Sequence, residues 1–161
     1  YQIEKIKEKY PEHAIVVVMA GNFTERGEVA IIDKFIRSEI AIKNGVDLVV
    51  ELPFPFATQS ADTFAYGAIT ILEKLKVEKV IFGSESNNIE DLEEIVNCQL
   101  NNDEFDKLVH IYSKFGNNYP TSLSLALHDL TGKTIDTPND LLGISYIKAI
   151  KQNNYKCNRK L

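Results

Sequence analysis

Three short segments of the chain are apolar at nearly every position. They are residues 14–19, 46–52 and 79–82. Strands that are buried on both faces have this continuous pattern, whereas a strand with one wet face alternates apolar and polar residues. The sequence therefore predicts three buried parallel strands.

Helices are predicted between these strands. Residues 30–44 place an isoleucine at every fourth position, which predicts a helix with these isoleucines against the sheet. The isoleucines are Ile32, Ile36 and Ile40. Lys34 and Arg37 fall on the opposite, outer face. A second helix should begin at Ser60, a favourable N-cap residue. The alternation of strand and helix predicts an α/β fold with a doubly wound parallel sheet.

The pattern after the third strand is entirely helical. Four helices are predicted there, near residues 88, 105, 120 and 137. The last has a threonine at its N-cap and Pro138 at the first helical position, where proline is favourable. We therefore predict a nucleotide-type core over residues 1–86 and a helical extension over residues 87–161 that packs on the core.

At both ends of the chain, the sequence pattern stops before a complete structural unit has formed. The chain opens on Tyr1 rather than Met, and residues 1–10 have the spacing of a helix that leads directly into the first strand. A helix that feeds a strand is the second half of a βαβ unit, so a strand is expected upstream. After the last helix, the pattern ends at residues 154–156 before a partner element forms. We expect the chain to be a fragment of a longer protein.

Composition and charge exclude several classes of protein. Of the 161 residues, 44% are hydrophobic and 25% charged, and the longest apolar run, residues 14–20, is too short to cross a bilayer, so no membrane partner is expected. A net charge of −5 argues against a compact cationic nucleic-acid module, although an acidic enzyme can carry a local basic groove. Cys98 and Cys157 fit neither a disulfide framework nor a metal site, which indicates a reducing, cytoplasmic compartment.

Polar residues and glycines follow the predicted strands. Gly21 and Asn22 come after the first strand, the second ends at Glu51, and Gly83 follows the third. Ligands of open parallel sheets bind beyond the carboxyl ends of the strands, and glycine lets a ligand approach the backbone. One such end would be ordinary strand termination. Three ends at one edge predict a nucleotide-type binding crevice.

Individual side chains near this edge have two interpretations each. Arg26 is either a solvated loop residue paired with neighbouring glutamates or a clamp for phosphate or carboxylate. Lys34 lies either on a solvated helix face or where it can hold phosphate or RNA. Asn139 is either a turn residue or part of a helix N-terminus that binds an anion, with its amide reading a base or phosphate. The scattered histidines have no neighbours at metal-ligand spacing, so no protein metal site is predicted.

Several blocks of the sequence resemble the tRNA(Met) cytidine acetate ligase family. Residues 19–30, MAGNFTERGEVA, resemble its signature M-S-G-N-F-x-Q-R-G-E-P-A. Further similar blocks are NGVDLVVELPF at 44–54, QSAD at 59–62, FGSE at 82–85, YPT at 119–121 and PNDLLG at 138–143. The blocks follow the family's order, and the resemblance covers almost the whole chain.

This resemblance implies a Rossmann-like core of the nucleotidyltransferase type and an ATP-dependent ligase. The enzyme would form N4-acetylcytidine at the wobble position of elongator tRNA(Met) from acetate, through acetyl-adenylate. Mg²⁺ is expected with the ATP. The nucleotide contacts of the family fall on Gly83 and Asn139. Weaker candidates for substrate binding, taken from the strand-edge argument, are Gly21, Asn22, Arg26 and Lys34.

The chain departs from the family pattern at both ends. The His-x-Gly-His segment of the family would precede Tyr1, so no catalytic residue is assigned and the chain alone is expected to be inactive and to bind ATP weakly. A further nucleotide-contacting arginine is expected beyond Leu161. Two alternatives remain: an adenylyltransferase for a small molecule, built on the same core, and a non-catalytic RNA-binding module. The sequence predicts no particular oligomeric state.

Overall fold

The computed structural model of the chain describes residues 2–135, 137–155 and 158–160. Contacts between residues divide the chain into two compact units, a first unit Tyr1–Leu75 and a second unit Lys76–Leu161. Each unit combines helices with one pair of parallel strands. The chain therefore has the α/β fold with parallel strands that its sequence predicts. Among the helices of these described ranges, none has the length and apolar character needed to cross a membrane.

The described residues of the first unit form two strands and four helices. In chain order they are α1 (Gln2–Lys9), β1 (Val16–Ala20), α2 (Lys34–Lys43), β2 (Leu48–Leu52), α3 (Phe54–Ala57) and α4 (Ala61–Lys74). β1 and β2 pair in parallel, with Val16 opposite Leu48 and Ala20 opposite Leu52. Ser60 is the N-cap of α4, as predicted. The carboxyl ends of β1 and β2 lie side by side, which brings the residues after them together.

Helix α2 packs against the strands with one face, and this face is opposite to the one that the sequence predicts. The isoleucines predicted to face the sheet are between 44% and 51% exposed. They are Ile32, Ile36 and Ile40. Lys34 and Arg37, predicted on the outer face, are instead half-buried and bonded to groups at the ends of β1 and β2. The prediction of the helix face was wrong because the acceptors exposed at the strand ends take up the two cations.

The second unit contains two strands and four helices among the described residues. They are β3 (Lys79–Ile81), α5 (Ile89–Asn101), α6 (Asp103–Lys114), α7 (Tyr119–Thr131), α8 (Pro138–Gln152) and β4 (Asn158–Lys160). β3 pairs in parallel with β4, a strand that the sequence pattern did not predict because its three residues, Asn-Arg-Lys, contain no apolar run. That the ends of β1, β2 and β3 share one edge stays a prediction.

Helix α8 comes close to the residue that follows β3. Gly143 lies in α8, and a Cβ atom added to it would stand 2.7 Å from Cε2 of Phe82. Phe82 is buried and also packs its ring on Tyr146 of the same helix. Interiors are packed too densely to absorb an added atom without movement. The absence of a side chain at Gly143 therefore allows α8 to lie directly against the end of β3.

Candidate functional site

Asp140, in the first turn of α8, bonds this helix to the loop after β3. Its carboxylate is buried and accepts hydrogen bonds from the hydroxyls of Ser84 and Thr137, the latter at 2.8 Å, and from the backbone N–H of Ser86 at 3.1 Å. Burial raises the pKa of Asp140, but these hydrogen bonds to the ionised form outweigh it, so the pKa lies below its ordinary value. An ionised carboxylate therefore holds the loop and the helix together.

Glu85 covers the N-terminus of α8. Its Oε1 accepts from the side-chain Nδ2 of Asn139 at 2.8 Å and from the backbone N–H of Asn139 at 3.4 Å. Its Oε2 accepts from the backbone N–H of Asp140 at 3.2 Å. Helix N-termini leave such N–H groups unsatisfied and favour negative charge. The donors that the sequence offers to an anion are thus taken by the chain's own carboxylate, which sequence reasoning missed although the glutamate stands in the FGSE block.

Gly83 leaves open space above its backbone. A Cβ atom added there would meet nothing within 4 Å, and the residue does not have a left-handed φ. Neither its neighbours nor its backbone conformation therefore require glycine. Its chain neighbours connect it to α8, because Ser84 bonds Asp140 and Glu85 bonds Asn139. The structure thus brings the two nucleotide-contact candidates, Gly83 and Asn139, into one cluster.

In the first unit, Gly21 and Lys34 meet at Glu51. Nζ of Lys34 lies 2.7 Å from Oε2 and 3.0 Å from Oε1 of Glu51. A Cβ atom on Gly21 would collide with the same carboxylate, so a side chain at this position would displace Glu51 from its present place. Arg37 donates to the backbone carbonyls of Gly21 and of Ala20, the latter at 3.1 Å. Arg37 was missed as a member of this cluster because the helical pattern placed it on the outer face.

Asn22 and Arg26 lie in the loop between β1 and α2. The loop folds back on itself, because the backbone N–H of Ala30 donates to the carbonyl of Asn22 at 2.8 Å and Gly27 turns the chain with φ +76°. Arg26 is exposed next to this turn. Within the described part of the chain, its guanidinium forms no hydrogen bond or ion pair, so the predicted pairing with neighbouring glutamates is not observed. The structure leaves this cation available.

The described residues do not build a metal site. Over residues 2–135, 137–155 and 158–160, no group of three or more His, Cys, Asp or Glu side chains could hold an ion. The carboxylates of the two clusters are already bonded: Glu51 to Lys34, Glu85 to Asn139, and Asp140 to hydroxyl groups. Mg²⁺ that accompanies ATP is held largely by the phosphates. These residues therefore do not fit a Mg²⁺ site of the protein's own.

Comparison with known proteins identifies the family. The sequence pattern of the HIGH nucleotidyl transferases matches residues 1–160. The chain belongs to the HIGH nucleotidyl transferase family. The chain is 42% identical over 156 residues to a tRNA(Met) cytidine acetate ligase of Mesomycoplasma hyopneumoniae. This match covers 96% of the chain and 49% of that ligase. The ligase of the same name from Caldicellulosiruptor saccharolyticus is 45% identical over 158 residues, 97% of the chain and 40% of that protein.

A solved structure resembles this HIGH nucleotidyl transferase chain over nearly its whole length. Thermotoga maritima TmcAL, bound with alpha-thio ATP, matches with a TM-score of 0.93 and 37% identity. The match covers 99% of the chain and 42% of TmcAL. The resemblance read from the sequence blocks and the nucleotidyltransferase type of the fold are confirmed. The chain spans about half the length of the curated relatives it matches.

Proposed function

We propose that this chain is the nucleotide-binding part of a longer ATP-dependent ligase that acetylates the wobble cytidine of elongator tRNA(Met). The observation that carries the proposal is the cluster in which the open backbone of Gly83 and the exposed amide of Asn139 are held together. The names of the relatives supply the substrates, acetate and tRNA(Met), and a protein that acts on tRNA would work in the cytoplasm. Residues 1–86 would be its core and residues 87–161 its helical extension.

The proposed reaction has two steps. An acetate oxygen attacks the α-phosphorus of ATP and pyrophosphate leaves, which gives acetyl-adenylate. The N4 amine of cytidine then attacks the acetyl carbon, AMP leaves, and the amine loses a proton. Such chemistry depends on positioning the reactants and on stabilising the charge that develops on phosphate oxygens. We propose that a His-x-Gly-His segment before Tyr1 positions the reactants and stabilises this charge in the longer protein. The chain alone would then be inactive.

The residues of this chain would bind and position the substrates. The missing side chain at Gly83 lets the nucleotide lie against the backbone, and the Asn139 amide hydrogen-bonds it. At the ends of β1 and β2, the candidates for substrate binding are Gly21, Asn22, Arg26 and Lys34, and the two cations among them would hold phosphate or RNA. Arg26 is the stronger of the two cations for this role, because Lys34 is already paired with Glu51.

The decisive assay supplies the full-length protein with ATP, labelled acetate and unmodified elongator tRNA(Met), and then analyses the digested tRNA for acetylcytidine. We expect labelled acetylcytidine with the wild type and about tenfold less with Asn139→Ala, because a hydrogen bond to the nucleotide is lost. Asn153→Ala is the matched control, since it removes the same side chain at the other end of α8, where Nδ2 bonds the carbonyl of Ala149.

Each failure of this assay has a distinct meaning. Adenylate formation without labelled tRNA would overturn the proposal in favour of a small-molecule adenylyltransferase. An absence of ATP consumption by the full-length protein would favour a non-catalytic RNA-binding module. An equal loss of product in Asn139→Ala and Asn153→Ala would remove Asn139 from the nucleotide site.

Gly83→Ala should weaken ATP binding without weakening the fold. The added methyl group meets no protein atom within 4 Å, so thermal unfolding should be unchanged. The same methyl group occupies space that the nucleotide needs, so we expect the Kd for ATP to rise about tenfold. Calorimetric titration of the full-length protein with ATP, together with its melting temperature, checks both parts. An unchanged Kd would show that the nucleotide does not approach this backbone.

A further inference from the structure

Glu85 determines which atom of the Asn139 amide is free. An ionised carboxylate can only accept hydrogen bonds, so the amide atom next to Oε1 of Glu85 must be the nitrogen, at 2.8 Å. The carbonyl oxygen Oδ1 is then the other terminal atom of the amide. In the described part of the chain, no hydrogen bond reaches this oxygen. The side chain of Asn139 therefore offers an acceptor, and not a donor, to a ligand.

The same carboxylate determines the charge at the start of α8. It accepts the backbone N–H groups of Asn139 and Asp140 and so neutralises the positive end of the helix. A phosphate at this place would meet a negative charge and no free donor from these two groups. A neutral group that carries its own N–H donors would instead find two acceptors, the oxygens of Glu85 and Asn139.

The residues on both sides of Glu85 are bonded to Asp140, which fixes the position of Glu85. Glu85 lies between Ser84 and Ser86, and both of these residues donate to the buried carboxylate of Asp140. Since the backbone on either side of Glu85 is fixed, its side chain has fewer conformations to lose when it orients Asn139. Recognition groups supported in this way are preorganised for their ligand.

We infer that Glu85 is a positioning residue that makes the start of α8 an acceptor edge for the exocyclic amine of adenine. The inference rests on the proposed function, because it takes Asn139 to contact the nucleotide. Adenine carries an N6 amine that donates, whereas hypoxanthine carries a carbonyl oxygen at the same ring position. The Glu85–Asn139 pair thus favours ATP and rejects ITP, whose oxygen would face two other oxygens.

Glu85→Gln tests this role. A glutamine amide offers both a donor and an acceptor, so Asn139 can turn its amide over and present N–H groups to the O6 of hypoxanthine. The Kd values of ATP and ITP are measured by calorimetry on the full-length wild type, Glu85→Gln and Glu90→Gln. Glu90, in the first turn of α5, gives a control for the loss of one negative charge in the same unit.

We expect the wild type and Glu90→Gln to prefer ATP over ITP by about tenfold, and Glu85→Gln to bring this ratio close to one, partly by gaining affinity for ITP. A merely structural loss would weaken both nucleotides equally and could not improve ITP binding. If Glu85→Gln leaves the ratio of the ITP and ATP Kd values unchanged, or weakens the binding of both nucleotides equally, the inference is overturned. The proposed function still stands in that case, provided that the wild type binds ATP. If the wild type binds neither nucleotide, both proposals fall.

Discussion

Replacing Asp140 by alanine should lower the free energy of unfolding by about 3 kcal/mol and the melting temperature by about 9 °C. Asp140 is 4% exposed, and its carboxylate accepts hydrogen bonds from Ser84, Thr137 and Ser86. Its removal leaves three donors in a partly buried place without their acceptor, and a buried donor without an acceptor costs more than the hydrogen bond gained in forming it. The variant also loses a favourable negative charge in the first turn of α8.

Asp106→Ala is the matched control for this loss. Asp106 also stands in the first turn of a helix, α6, but its side chain is exposed. Exposed charges near a helix start contribute about 0.5 kcal/mol, so the control should change little. Urea denaturation followed by circular dichroism separates the two variants. Equal losses in both would mean that Asp140 acts only through the charge of the helix start and not through its hydrogen bonds.

The acid dependence of stability gives a second test of Asp140. Its pKa in the folded protein is below the ordinary value, so its contribution is complete above the ordinary pKa and disappears as the pH falls toward the folded one. The wild type should therefore lose stability between about pH 5 and about pH 3, and Asp140→Ala should lose less over the same interval. Denaturation midpoints at several pH values measure the difference. Parallel curves would contradict the ionised network.

The sequence predicts elements whose causes are local. The apolar runs mark β1, β2 and β3, and the N-caps Ser60 and Asn88 mark the starts of α4 and α5. It fails where the cause is distant along the chain. The periodicity of α2 correctly predicts a helix, but its orientation follows from the bonds of Lys34 and Arg37 to strand ends that lie as much as 17 residues away in sequence.

The same limit applies to the candidate site. Gly83 and Asn139 are each visible in the sequence, one as a glycine after a strand and the other at a helix start. The residues that join them are not, because Ser84 bonds Asp140 across 56 positions and Glu85 bonds Asn139 across 54. In the sequence, Glu85 is only an acidic residue in the loop after a strand, far from α8. Only its geometry shows that Glu85 takes the donors and leaves Asn139 with an acceptor.

Gly143→Val should also lower the free energy of unfolding by about 3 kcal/mol. A Cβ atom at this position would lie 2.7 Å from Cε2 of Phe82 and 3.4 Å from Cδ1 of Leu92, and both side chains are buried. Valine and glycine differ by only about 0.4 kcal/mol in helix propensity, so the loss reports packing rather than the backbone. Thermal and urea denaturation measure it.

A compensating change shows whether Phe82 is the obstacle. Phe82→Leu shortens the side chain that the new methyl groups meet, so the double variant should be less destabilised than the sum of the two single variants, by about 1 kcal/mol. Additive losses would mean that the strain is elsewhere.

Because Phe82 directly precedes Gly83, moving α8 away from this ring also separates Asn139 from the loop after β3. We therefore expect Gly143→Val to weaken ATP binding even at temperatures where it remains folded, and Phe82→Leu to restore part of that binding.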